Sequence, residues 1–230
     1  MSAETPRHIL ARFDEGLASL RNNVLTMSGL TERILMRAGE GLFSRDLDAC
    51  NSAIAEDAEI DNLEKVIDED GVDIMVRFQP LAKDLREVIA AMKVGSNLER
   101  VADQAVSIAR RARRLNLAPS LPETAALEPL FRMAMDLFRA GMGSFADRDT
   151  ELARGLKARD RELDALHHRT IHDLTVRMTE DAAHIEGYLD LVIIARTLER
   201  IGDHATNIAE DAVFAVSAED IRHTAPAVEG

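Results

Sequence analysis

Apolar positions along this chain recur every three to four residues over long stretches, the period of helices that bury one face. Leu10, Phe13, Leu17, Leu20, Val24, Met27 and Ile34 form the first series, opened by Pro6 and fading near Gly39 to Gly41. A second runs from about 43 to 79 through Leu47, Ile54, Leu63, Ile67, Ile74 and Met75, interrupted only by Gly71. Pro80 forbids simple continuation and suits the first turn of a third helix, over about 81–115. Pro119, Ser120 and Pro122 then mark a linker over 116–122. The plan repeats after it, with helices expected over about 123–145, 148–179 and 183–217 and a frayed tail from Ala218. The expected fold is all-α: two tandem antiparallel three-helix bundles over 6–116 and 122–217, with 218–230 as a C-terminal tail.

The last helix of each expected bundle carries the same string. Leu98-Glu99-Arg100-Val101-Ala102-Asp103 recurs one hundred positions later as Leu198-Glu199-Arg200-Ile201-Gly202-Asp203. Aligned without gaps, residues 97–112 and 197–212 agree at eight of sixteen positions, which points to an internal duplication. Each copy sets Glu and Asp at i and i+4, on one helix face about a turn apart, where like charges repel by roughly a few tenths of a kcal/mol. The middle helices add Asp57 with Asp61 and Asp160 with Asp164, both Asp-x-x-x-Asp with an aliphatic residue before the second Asp. If these pairs face each other, four carboxylates converge in each bundle, an oxygen-rich environment suited to a hard cation.

Taken singly, each pair is an ordinary solvated polar face. Asp61 has Lys65 four residues on and Glu199 has Arg196 three residues back, so both have a neutralising neighbour. Glu99 and Asp103 have only Ser96 and Ser107 in the flanking turns, and helical phase sends Arg100 to another face. That first pair most requires an external cation. His204 lies about 100° around the helix from Asp203 and reads as a surface or inter-helix group. Asp164 with His167, and Asp181 with His184, are Asp-x-x-His pairs without a copy in the first half, unlike the Glu-x-x-His of di-iron bundles.

Charge and composition narrow the classes. A formal charge of −13 excludes a nucleic-acid binder, which needs a basic footprint. No stretch reaches the roughly 18 apolar residues of a spanning helix, and the first residues have no apolar signal region, so the chain reads as cytoplasmic and not membrane-inserted. The single cysteine, Cys50, reads as a small apolar helix residue, and Met27, Met75, Met92, Met133, Met135, Met142 and Met178 as core filler. There is no Gly-rich phosphate loop, nucleophile elbow or Cys/His zinc spacing, so no catalytic residue is assigned.

The duplicated Leu-Glu-Arg-x-x-Asp strings, their Asp-x-x-x-Asp partners and Gln79-Pro80-Leu81-Ala82-Lys83-Asp84-Leu85-Arg86 together resemble the PhoU family. Segments 21–30, with Thr26-Met27-Ser28-Gly29, and 219–224 are also similar to that family. The resemblance implies two tandem three-helix bundles with multinuclear iron or zinc clusters on acidic surfaces. Its implied metal ligands are Asp57, Asp61, Glu99 and Asp103 in the first half, and Asp160, Asp164, Glu199 and Asp203 in the second. It further implies a negative regulator of the phosphate regulon linking the ATPase subunit of a phosphate ABC transporter to a sensor histidine kinase; a homodimer without enzymatic activity is expected. The segment His184-Ile185-Glu186-Gly187-Tyr188 departs from its counterpart at 80–86. Two rival readings remain: a carboxylate-metal enzyme, and a metal-free helical adaptor whose acidic pairs meet basic groups, such as Arg110, Arg111, Arg113 and Arg114 of a second copy.

Overall fold

The structure, a computed structural model, describes residues 6–222. It comprises seven α-helices: α1 (Pro6–Phe43), α2 (Leu47–Ala55), α3 (Asp57–Phe78), α4 (Lys83–Leu117), α5 (Glu128–Asp147), α6 (Thr150–Glu180) and α7 (Ile185–Ser217). Short 3₁₀ turns at Pro122–Leu127 and Ala182–His184 lead into α5 and α7. Helices α1, α2 with α3, and α4 form one three-layered bundle, and α5, α6 and α7 form the second. The all-α duplication expected from the sequence is the fold observed.

Three expectations are corrected. The run expected from 43 to 79 is two helices, because Glu56 turns toward α1, where Arg33 Nε meets its carboxylate at 3.0 Å and Arg37 joins it. Asp57 therefore starts α3 instead of lying mid-helix. Gly39 and Gly41 do not end α1; the ring of Phe131 and the thiol of Cys50 occupy the space where their side chains would be. The tail is ordered as far as it is described: Glu219 pairs with Arg154, and Ile221 packs on the core. Residues 223–230, including His223, Thr224 and Pro226, lie outside the described residues.

The turns that open α2 and α6 are equivalent. Arg45 (φ 55°) and Arg148 (φ 57°) are left-handed, and each is followed by a capping Asp. Asp46 accepts from the amides of Asp48 and Ala49 at 2.8 and 3.0 Å, and Asp149 from those of Glu151 and Leu152 at 3.0 and 2.9 Å. The Arg side chains diverge: Arg45 donates to the Asn116 and Ala118 carbonyls at the end of α4, whereas Arg148 pairs with Glu87.

Helices α4 and α7 form the seam between the bundles. They run antiparallel, as Lys93 pairs with Asp211, Asn97 with His204, and Arg111 with Asp190. These pairings centre on the duplicated string, around Val101 and Ile201, both fully buried. The repeat thus lies at a pseudo-twofold crossing, and the helices flanking it on each side carry the acidic faces. On the second bundle α5 approaches α7 so closely at Gly141 that a Cβ there would lie 2.6 Å from the Ala205 carbonyl oxygen. All seven methionines expected as filler belong to or pack on the core, and Cys50 is fully buried with its thiol pKa pushed up by burial and then by Asp46.

Candidate functional site

The acidic faces form where α3 packs on α4 and where α6 packs on α7. Both helix pairs are antiparallel, which brings the start of the Asp-x-x-x-Asp string toward the end of its Glu-x-x-x-Asp partner. In the first half, Asp57 is raised above the usual aspartate range by burial and then by Asp61 and Asp103, with Arg110 opposing. Glu99 is pushed up to about 7, chiefly by burial, then by Asp103, with a smaller effect of Glu64. Its Oε2 is buried without a hydrogen-bond partner. Arg100 does not leave this face as helical phase suggests; its Nε reaches back to 3.4 Å from that oxygen.

The second half repeats the arrangement. Asp160 is pushed up to about 7 by burial first, then by Asp164, Asp203, Glu199 and Glu210. Its Oδ1 is buried without a partner and lies 3.1 Å from where a Cβ on Gly202 would be. Glu199 is raised by burial and by Asp203 and Asp164 against the pull of Arg200 and Arg196. Asp203 is raised by burial and by Asp164, with Arg200 opposing. All eight carboxylates named from the sequence thus belong to two mutually repelling groups of four.

Of the residues that distinguish the two groups, sequence reasoning named His167 and Arg110 in other roles and missed Glu64 and Glu210. Position 64 on α3 corresponds to 167 on α6, and 110 on α4 to 210 on α7. The first face therefore holds Glu64 and Arg110 where the second holds His167 and Glu210. Asp57 also sits in the first turn of α3, where the helix dipole favours its ionised form, whereas Asp160 is well inside α6. The signal was available: 99, 103 and 110, and 199, 203 and 210, keep a helical face over three turns. His204 is the inter-helix group expected, with Nδ1 3.1 Å from Asn97 Oδ1 of α4. His184 bonds locally to Asp181 at 2.8 Å.

Among the described residues no three histidine, cysteine, aspartate or glutamate side chains yet close on one point as a metal centre would require. The donor set nonetheless fits a divalent cation. Its atoms are hard oxygens, one in each face is buried without a hydrogen bond, and the repulsion between neighbours is what a cation relieves. The Arg stretch on α4 is mostly engaged within the chain: Arg111 and Arg114 hold Asp190, and Arg113 bonds Asn51. Its use by a second copy, as the metal-free reading supposed, would require breaking those contacts.

Such a tandem of three-helix bundles, with a carboxylate face repeated on each, defines a class of duplicated all-helical proteins. The PhoU domain family model matches residues 24–112 and 127–212, one copy per bundle, and the chain belongs to the PhoU family. It is 32% identical over 221 residues to the "Phosphate-specific transport system accessory protein PhoU homolog" of Xylella fastidiosa, covering 96% of this chain and 92% of that protein. The protein of the same name from Zymomonas mobilis is 37% identical over 214 residues, covering 93% and 90% of the two chains. The crystal structure of PhoU from Pseudomonas aeruginosa superposes with a TM-score of 0.88 at 32% identity, over 90% of this chain and all of that one. The phosphate transport system regulatory protein PhoU from Streptococcus pneumoniae, at 22% identity, shares the fold with a TM-score of 0.82 over 91% and 99% of the two chains. Among the described residues no helix is long and apolar enough to cross a membrane.

Proposed function

We propose that this chain is a negative regulator of the phosphate regulon and a modulator of phosphate uptake. It would act at the cytoplasmic side of a phosphate ABC transporter, between that transporter's ATPase subunit and a sensor histidine kinase, and hold the kinase silent when phosphate is plentiful. The observation that carries this reading is the match over nearly the whole length to relatives named as phosphate transport accessory proteins. The role is regulatory and non-enzymatic, in keeping with the accessory naming of those relatives. In a strain lacking the protein, a phosphate-regulated promoter fusion is expected to be active in phosphate-rich medium and to fall silent when the chain is restored. A fusion that stays silent without the protein overturns this reading.

The acidic faces would carry iron or zinc clusters, held by Asp57, Asp61, Glu99 and Asp103 on one bundle and by Asp160, Asp164, Glu199 and Asp203 on the other. The cation would supply neutralisation of the carboxylates and a fixed surface for a partner. The buried Asp160 oxygen without a hydrogen bond, and the Glu99 oxygen whose only near cation is Arg100 at 3.4 Å, favour this. Protein purified without chelator is expected to contain stoichiometric metal that is lost in a helical quadruple variant, Glu99→Ala, Asp103→Ala, Glu199→Ala, Asp203→Ala, as read by elemental analysis. Equal trace metal in both proteins would instead establish a second reading, a metal-free adaptor whose acidic faces receive basic groups of a partner. The lack of a closed three-ligand group among the described residues favours that alternative.

A further inference from the structure

A hollow lies at each end of the α4–α7 seam, one beside the Arg148 turn and one beside the equivalent Arg45 turn, each of about 250 Å³. Their walls differ. Beside Arg45, Leu115 and Leu121 share the lining with Asn116, Ser120 and Thr124. Beside Arg148 the walls are Leu17 of α1, Ala91 of α4, Phe145 of α5 and Ala212, Ala215 and Val216 of α7, and among the described residues no neutral polar side chain joins them. The hundred-residue offset of the repeat sets Ala215 where the other half has Leu115, and Ala91 where it has Leu191. Both leucines are buried, at 6% and 0% exposure, so the fold accepts the larger side chain and the alanines leave room. Apolar walls without a partner forgo contacts that an apolar ligand restores. An apolar cavity of about 150 Å³ takes benzene, so this one has space for a hydrocarbon chain of medium length. Charge is confined to four side chains of its lining. Glu87 is held by Arg148 at 2.9 Å and by Lys83 at 3.8 Å. Asp14 stands two turns before Arg21 on α1, roughly 10 Å along the axis. Arg21 meets no carboxylate among the described residues; it donates one bond to the Ala146 carbonyl, and its guanidinium lies 5.9 Å from the centroid of the Phe145 ring. A guanidinium has five donors, so most of its capacity is open.

We propose that the hollow beside Arg148 binds a medium-chain carboxylate, with its charged group on Arg21 and its chain between Leu17, Ala91, Phe145 and Ala215. Arginine matches a carboxylate with two parallel N–H···O bonds, and the contact with Phe145 restrains the guanidinium that makes them. The hollow takes its walls from α1 and α4 of the first bundle and from α5 and α7 of the second. A ligand there is buried against both bundles and ties them together at the Lys93–Asp211 end of the seam.

The test uses the full chain, labelled with ¹³C in its alanine methyl groups, titrated separately with octanoate and 1-octanol and followed by NMR. Octanoate is expected to shift the Ala91, Ala212 and Ala215 methyl signals saturably and to bind at least about tenfold more tightly than 1-octanol, the ratio that hydrogen bonds to a charged group supply. Arg21→Met is expected to bring octanoate down to the level of the alcohol while the alcohol binds as before, which a loss of structure would not do. Ala215→Leu, which places the residue of the other junction in the hollow, is expected to abolish binding of both. Should Ala215→Leu fail to fold, the methyl signals of the unsubstituted chain and the Arg21→Met comparison decide without it. Octanoate that fails to bind saturably, that binds without moving those three methyl signals, or that binds no better than 1-octanol overturns the inference.

Discussion

Replacing Asp190 with alanine is expected to lower the unfolding free energy by about 3 kcal/mol. Asp190 is only 9% exposed and stands on α7, where it receives Arg111 Nη1 at 2.9 Å and Arg114 Nε at 3.1 Å, both from α4. A second Arg114 nitrogen also reaches it. Removing the carboxylate leaves two guanidinium groups facing each other at one end of the seam between the bundles. Breaking a buried pair by deleting one partner costs roughly 3–5 kcal/mol. The lower figure applies because the Arg114 side chain is 59% exposed and can return to water. For a chain of this size the loss corresponds to a melting temperature lower by about 6–12 °C. At the other end of the seam the Lys93–Asp211 pair, with a lysine 41% exposed, is expected to lose less when broken in the same way. A loss below about 1 kcal/mol for Asp190→Ala would place the α4–α7 clamp among ordinary surface pairs.

What the sequence disclosed about this fold, and what it concealed, follows from where the forces act. Helical period, Pro80 and the linker prolines are local signals, and they located the six long helical runs and the duplication. The break at Glu56 is not local, because it follows two arginines of α1 that the chain brings back only after folding. Gly39 and Gly41 resemble helix-ending residues when only their propensity is weighed. Their role is to admit Phe131 and Cys50, which lie far away or across a turn.

The acidic faces show the same division. Eight carboxylates could be named because both strings carry their spacing openly. His167 stood out only as the partner of Asp164 in an Asp-x-x-His pair; its burial was hidden, because its helix is rich in charge. Arg110 and Glu210 lay on the right faces in the sequence, seven residues beyond Asp103 and Asp203. Their opposite effects on Asp57 and Asp160 required knowing which helix each face meets.

In the presence of a chelator, stability is expected to fall as pH rises from about 5 to about 8, contrary to the usual behaviour of carboxylates held in ion pairs. Glu99 and Asp160 are each pushed up to about 7, by burial first and then by Asp103 in one case and Asp164, Asp203 and Glu199 in the other. In the unfolded chain the same groups titrate near ~4.3 and ~3.9. Across that interval the folded chain binds more protons than the unfolded chain, so each step up in pH favours unfolding until both groups are ionised in both states. Burial also raises Asp57, Glu199, Asp203, Glu210 and Asp211, which adds to the slope with the same sign. Allowing for their remaining contact with solvent, Glu99 and Asp160 cost about 1–2 kcal/mol each above pH ~7. Denaturant unfolding of Glu99→Gln, Asp160→Asn should therefore show a flatter pH curve and greater stability than the parent at the alkaline end. A divalent cation competes with those protons and binds the ionised face, so its addition should reverse the slope and make the loaded protein gain stability with pH. A parent curve that is already flat without metal would mean that the carboxylates are solvated and hold no repulsion for a cation to relieve.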